Sequence, residues 1–203
     1  MTSPPRGRAE MFQVRIHGRG GQGVVTAAEL LSLAAFAEGR HAQAFPTFGS
    51  ERTGAPVTSF CRVDDSPIRI REPIAEPDAL VIQDPTLLHQ VDVFSGLTTD
   101  GYVLLNSSRN FEELGLETLH DDRPAGRALT IPATEIAREV IGRPLPNAVL
   151  LGGFAALTGL ISMESLAGAI GEKFGGSVAE KNIAAASRAH DRVRDAIGEP
   201  ARA

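Results

Sequence analysis

One cysteine, Cys61, is all the thiol chemistry in this chain of 203 residues. It can form no internal disulfide and cannot supply the thiolate set of an iron–sulfur cluster, so any such cluster must sit on another chain. Cys61 lies in "VTSFCRV" with no histidine beside it, the setting of a small buried apolar group, not of a reactive thiol. Histidine is sparse as well: His17, His41, His89, His120 and His190 show no pairing at metal-ligand spacing, which argues against a structural or catalytic metal. No apolar run reaches the roughly 18 residues a membrane helix needs. The segment that comes nearest, "NAVLLGGFAALTGLI", is short and broken by glycine. The start, "MTSPPRGRAE", lacks the apolar core of a secretory signal, and the chain is read as cytoplasmic. A formal charge of -5 with no run of lysine or arginine weighs against a general nucleic-acid binder, which needs a clustered basic face. Fixed-period repeats and low-complexity tracts are also missing.

What is present is enough apolar sequence, 42% of the residues, for one sizeable core. Residues 1–10 and 199–203 read as tails around a single domain spanning 11–198. "MFQVRI" alternates toward a strand, and "VVTAAELLSLAAFAE" carries apolar residues at three-to-four spacing before Gly39, a helix stop. "VTSFCRV" and "SPIRIRE" read as two strands of a hairpin about Asp64-Asp65-Ser66-Pro67. "ALVIQD" is a strand buried on both faces, and Asp84-Pro85 predicts an N-cap and first turn for a helix through "TLLHQVDVF". "YVLLNSS" and "ALTIPA" are further core strands, and Thr134 opens a helix over "EIAREVIG". Three alanine-rich helical segments follow Pro144. The pattern predicts an α/β fold: a Rossmann-like, doubly wound, mainly parallel sheet with an inserted hairpin and a C-terminal helical region.

"IHGRGGQGVV", residues 16–25, places Gly18, Gly20 and Gly23 in a G-x-G-x-x-G pattern between a strand and a helix. That is where free N–H groups and the helix dipole favour a phosphate. The pattern alone is also compatible with a tight turn and close helix packing and nothing more. A nicotinamide dinucleotide would further want an acidic residue ending a second strand about 20 residues on. Glu38 has nearly that spacing but ends the helix, and the following "GRHAQAFPTFGSERTGAP" reads as a polar loop punctuated by Pro and Gly. Another phosphorylated ligand fits better. That loop carries Thr47, Phe48, Gly49, Ser50, Glu51, Arg52 and Thr53, hydroxyls and a fixed positive charge able to fold over an anion at the glycine turn. The carboxylate pairs Asp64-Asp65 and Glu112-Glu113 read as turn caps, not as paired acid–base groups. No nucleophile elbow stands out.

Six spaced blocks, "GRGGQG", "FPTFGSERTGAPV", "RVDDSPIR", "DPTLL", "IPATEIAREVIGRPLPNAVLLGG" and "EKN", resemble in that order the gamma subunit or gamma domain of 2-oxoacid:acceptor oxidoreductases, the pyruvate:ferredoxin oxidoreductase superfamily. The resemblance covers residues 12 to about 190. It implies a Rossmann-like domain that takes part in coenzyme A binding and packs against alpha and beta subunits, with a delta or other electron-transfer subunit as an option. Those partners would carry thiamine diphosphate and iron–sulfur clusters. The implied reaction is oxidative decarboxylation of a 2-oxoacid to its acyl-CoA, with electrons leaving to ferredoxin or a similar acceptor, and this chain would be inactive alone.

Carried over by position, Gly18, Arg19, Gly20, Gly21, Gln22 and Gly23 would sit at the coenzyme A phosphates, with Arg19 as a charge partner. Thr47, Phe48, Gly49, Ser50, Glu51 and Arg52 would form the loop beside the cofactor's route. Asn106 and Asn147 match family positions and read as structural caps or subunit contacts. Two departures stand out: Thr53 where the family often has a second arginine, and "AVLLGG" where it often has a methionine after the asparagine. A free-standing dinucleotide-dependent reductase and a purely structural scaffold subunit stay open as alternatives.

Overall fold

Strand β1, Phe12–Arg19, alternates its side chains so that Val14 and Ile16 face one side of the sheet while Arg15 and His17 face the other. The computed structural model describes residues 11–47 and 53–198, so both expected tails lie outside the described residues. Helix α1, Val24–Ala37, follows the glycine turn and buries Val24, Ala27, Ala28, Leu30, Leu31, Ala34 and Ala35, the one-sided stripe its spacing predicts. It stops where Gly39 takes a φ of 79° and donates its N–H to the Phe36 carbonyl. The remaining strands are β2 His41–Pro46, β3 Pro56–Asp64, β4 Ala79–Ile82, β5 Tyr102–Asn106 and β6 Ala128–Ile131. Helices α2 Glu117–Asp121, α3 Ala133–Val140, α4 Asn147–Thr158, α5 Met163–Phe174 and α6 Gly176–Gly198 complete the order.

The sheet order is β2-β3-β1-β4-β5-β6. Strands β1, β4, β5 and β6 pair in parallel, and β3 runs antiparallel to both β1 and β2. Only β3 is reversed, so the sheet is mostly parallel, as the alternation of strands and helices predicts. Between β1 and β4 the winding changes direction: the chain leaves β1 through α1 toward β2 and β3, and leaves β4 toward β5. In open α/β sheets ligands bind at such a switch point, beyond the carboxyl ends of the strands. The glycine turn sits there.

One face of the sheet is apolar and helical. Val14, Ile16, Cys61, Val63, Val81 and Leu104 pack with α1, α4, α5 and α6 in the main core. Helix α4 is buried nearly all round, as an apolar helix between sheet and outer helix must be. A Cβ on its Gly152 would run into the Ala186 backbone of α6. The other face carries a smaller core of Ile82, Val103, Leu105 and Ala128 under Leu87, Val93 and Phe111. Its cover is a 3-10 turn at Pro85–His89, helix α2 and irregular segments.

Three expectations are corrected. The stretch read as a polar loop contains β2, whose Ala42 and Ala44 pack against the core while its partner β3 satisfies its backbone. Pro46 is tolerated because it ends an edge strand. The hairpin is therefore β2–β3. "SPIRIRE" is not a strand: β3 is already paired on both edges, and the Glu72 carbonyl accepts from Arg62 Nη2 instead. The helix expected over "TLLHQVDVF" is only the 3-10 turn, begun as predicted by Asp84, whose side chain accepts the Thr86 N–H. Beyond it, the guanidinium of Arg15 takes the Val93 and Ser95 carbonyls at 2.9 and 2.6 Å, which a continuing helix would have used itself.

Candidate functional site at the glycine turn

The three pattern glycines serve different ends. A Cβ on Gly18 would lie 2.5 Å from Val24 Cγ2, so its bareness lets α1 close on β1. Gly23, the N-cap of α1, has φ 72° and would press a side chain onto the Asn147 amide. Gly21 has φ 94° and faces open space. Helix α1 starts with no side-chain cap, so the amides of its first turn have no partner within the helix. They open on a cavity of about 320 Å³ lined by Arg19, Gly20, Gly21, Gly23, Val24, Val25, Thr53 and Val57.

The rest of the turn is tied down. Gln22 folds back so that its Oε1 accepts the Arg19 N–H at 2.8 Å while its Nε2 donates to Asp84 Oδ2 at 2.8 Å. Arg19 pairs with the same carboxylate at 3.2 Å and donates to Thr86 Oγ1, Gln90 Oε1 and the Gly54 carbonyl. Partial burial pushes the Asp84 pKa up, but hydrogen bonds from Thr86 and Gln22, with the Arg19 charge, outweigh it and hold the carboxyl below its ordinary value. The charge expected to greet a phosphate is thus already shared with Asp84.

The two motifs singled out in the sequence meet. Gly20 donates to the Ala55 carbonyl at 2.9 Å, Gly54 donates to the Gly20 carbonyl at 3.1 Å, and Gly20 bridges Thr53. Thr53 therefore lies on the cavity wall. At the loop's other end Thr47 donates both its N–H and its hydroxyl to the Thr58 carbonyl, closing the β2–β3 ladder. Phe48, Gly49, Ser50, Glu51 and Arg52 lie outside the described residues.

Other candidates resolve simply. Asn106 donates to the Gln83 carbonyl and accepts the Thr134 N–H, capping α3 from a strand end. Asn147 is the first residue of α4, after the N-cap Pro146, and makes no capping hydrogen bond among the described residues. It lies beside Gly23, a juxtaposition that the spacing of 124 residues hides. Glu38 accepts the Ser162 N–H at 2.7 Å, so it caps α5. The strand after α1 is separated from β1 by β3 and ends in Pro46, so among the described residues no carboxylate ends that strand where a dinucleotide ribose would want one. Asp64 accepts the Ser66 N–H, and Glu113 exchanges hydrogen bonds with Asn110, the turn roles expected. Burial lifts the Cys61 thiol to about 12. Among the described residues no group of three or more His, Cys, Asp or Glu could hold a metal ion, and no helix is long and apolar enough to cross a membrane.

With this geometry in hand, the sequence profile of the pyruvate ferredoxin/flavodoxin oxidoreductase family matches residues 13–192. The chain belongs to that family. Within it the chain is of gamma type. It is 50% identical over 183 residues to the common gamma subunit of the pyruvate/ketoisovalerate oxidoreductases of Thermococcus kodakarensis, covering 90% of this chain and 97% of the relative. Identity is also 50% over 183 residues to pyruvate synthase subunit PorC of Methanothermobacter thermautotrophicus, covering 90% and 96%. The crystal structure of pyruvate oxidoreductase subunit PORC from Thermotoga maritima superposes with a TM-score of 0.75 at 33% identity, over 90% of this chain and 97% of that one.

Proposed function

We propose that this chain is the gamma subunit of a multi-subunit 2-oxoacid:ferredoxin-type oxidoreductase and helps bind coenzyme A, the acceptor in oxidative decarboxylation of a 2-oxoacid to acyl-CoA. The observation that supports this most is the uncapped start of α1, whose amides open on a cavity at the switch point of the sheet. Gly18 to Gly23 would take the pyrophosphate, with Arg19 holding the turn's shape through Asp84 and adding charge from its edge. The loop from Thr47 to Arg52 would lie along the cofactor's route, since Gly54 and Ala55, which follow it in the chain, are hydrogen-bonded to Gly20.

This subunit acts by holding and aiming a cofactor whose thiol reacts elsewhere. Thiamine diphosphate and the iron–sulfur clusters belong to alpha, beta or further partner chains, ferredoxin or a similar carrier accepts the electrons through the complex, and the assembly works in the cytoplasm. In isolation the chain turns nothing over.

Gly20→Asp tests the reading. Gly20 is not among the glycines with positive φ, so the variant can keep the backbone while setting a carboxylate in the cavity. In the assembled complex, the KM for coenzyme A should rise at least about tenfold, the scale of one lost charge-assisted contact, while the KM for the 2-oxoacid holds. An unchanged KM for coenzyme A in an intact complex rejects the proposal.

A further inference from the structure

Behind the glycine turn lies a second cavity, of about 500 Å³, with Gly21 and Gly23 as a wall shared with the first. Three helix N-termini open into it: Thr26 from the first turn of α1, Asn147 from that of α4 and Ser177 from that of α6. Each brings unpaired amides and the positive end of a helix dipole. Arg143 and Lys181 also line it, and the side chain of neither makes an ion pair or hydrogen bond among the described residues. Among the described residues no carboxylate lines the space. This is the reverse of the Arg19 side, where Asp84 already answers the charge.

The side chain of Asn147 supplies an independent sign of a missing ligand. The residue is only 6% exposed, yet its amide has no hydrogen-bond partner among the described residues and it lies on the cavity wall. Asn182, 7% exposed on the same wall, donates to the Val178 carbonyl and keeps its own oxygen unpartnered among the described residues. Neither amide is among the fully sealed unpartnered side-chain atoms, so both keep their free polar atoms open to the cavity. Sites that carry such groups are commonly completed by something absent from the free chain.

We infer that this cavity is a second phosphate subsite, in which Arg143, Lys181 and the Asn147 amide hold a phosphate group of the nucleotide whose other contacts lie at the glycine turn. The inference rests on the coenzyme A reading and adds where its charge is neutralised. Because the two cavities share Gly21 and Gly23, one extended ligand can span both. Phe174 and Val178, 37% and 53% exposed at the rim, offer an apolar face to a nucleobase. The phosphate is either the ribose 3′-phosphate, a dianionic monoester, or one half of the pyrophosphate, which carries a single charge; both offer anionic phosphoryl oxygens to the same donors.

The experiment uses the assembled complex with an Arg143→Gln/Lys181→Met double variant and, separately, Asn147→Ala. The probes are coenzyme A and dephospho-coenzyme A, with the KM for the 2-oxoacid as internal reference. The double variant should raise the KM for coenzyme A by about tenfold or more and Asn147→Ala by roughly fivefold, magnitudes typical of charge-assisted and neutral contacts respectively. A loss confined to coenzyme A assigns the cavity to the 3′-phosphate, and equal loss with both probes assigns it to the pyrophosphate; either supports the subsite. If both variants assemble and leave both KM values unchanged, the subsite is wrong. Gly20→Asp separates the two ideas: a raised KM there with no effect of the double variant overturns the second cavity alone.

Discussion

The two faces of the sheet are built on opposite principles. The helical face is apolar throughout its core, with Val14, Ile16, Val81 and Leu104 under α1 and α4. On the other face, the same strands turn Arg15, His17 and Arg62 inward, 8%, 7% and 2% exposed. Arg15 Nε donates to His17 Nε2 at 3.0 Å and its Nη atoms reach backbone carbonyls of the covering segment, while Arg62 donates to Gln13 and Glu72. Irregular chain has carbonyls to spare, and a buried guanidinium satisfies several at once. The lesson is that a thin cover can be held by polar contacts where helices would need apolar ones. The corresponding liability is sensitivity to pH.

The sharpest way to break the helical face is Gly152→Val. Its Cβ would collide with the Ala186 backbone, and α4 and α6 make the most extensive helix contact in the fold. Separation of two helix backbones should cost about 3 kcal/mol or more, read as a lowered denaturation midpoint with unchanged pH dependence.

On the polar face the corresponding test is acid. Burial, with the Arg15 charge adding, depresses the His17 pKa to about 4 from 6.5, so between these values the unfolded chain binds the extra proton. Stability from this residue is complete above about pH 6.5 and lost progressively as pH falls toward 4, by roughly 3 kcal/mol in all. His17→Gln, which keeps an acceptor for Arg15, should flatten unfolding free energy across that window; an unchanged slope would mean that His17 is not held neutral.

The smallest effect belongs to Ser162→Ala. The Ser162 hydroxyl accepts the Ser165 N–H at the start of α5, and its loss should lower stability by about 1 kcal/mol at any pH from 5 to 8. A loss of several kcal/mol would show that the cap carries more than one helix end.

Much of this was legible in order along the chain. The strand, glycine turn and helix of residues 12–37 announce themselves through period and composition, and Asp84-Pro85 marks its cap by local chemistry alone. Strand β2 was hidden because "HAQAFP" is short, weakly apolar and ends in proline; it holds as a strand only because β3 offers it an edge. "SPIRIRE" misleads in the opposite way. It has the alternation of a strand but no edge to join.

For the candidate site, the sequence alone determined the family, the α/β class and the glycine turn, because these rest on local spacing and on residue types that admit few other conformations. Only the tertiary structure decided which charges are already answered. It set Asp84 against Arg19, brought Thr53 back to Gly20, and laid Asn147 beside Gly23. Electrostatic and hydrogen-bond pairing depends on distances of a few ångströms between residues far apart in the chain, and those distances exist only once the sheet order and helix packing have formed.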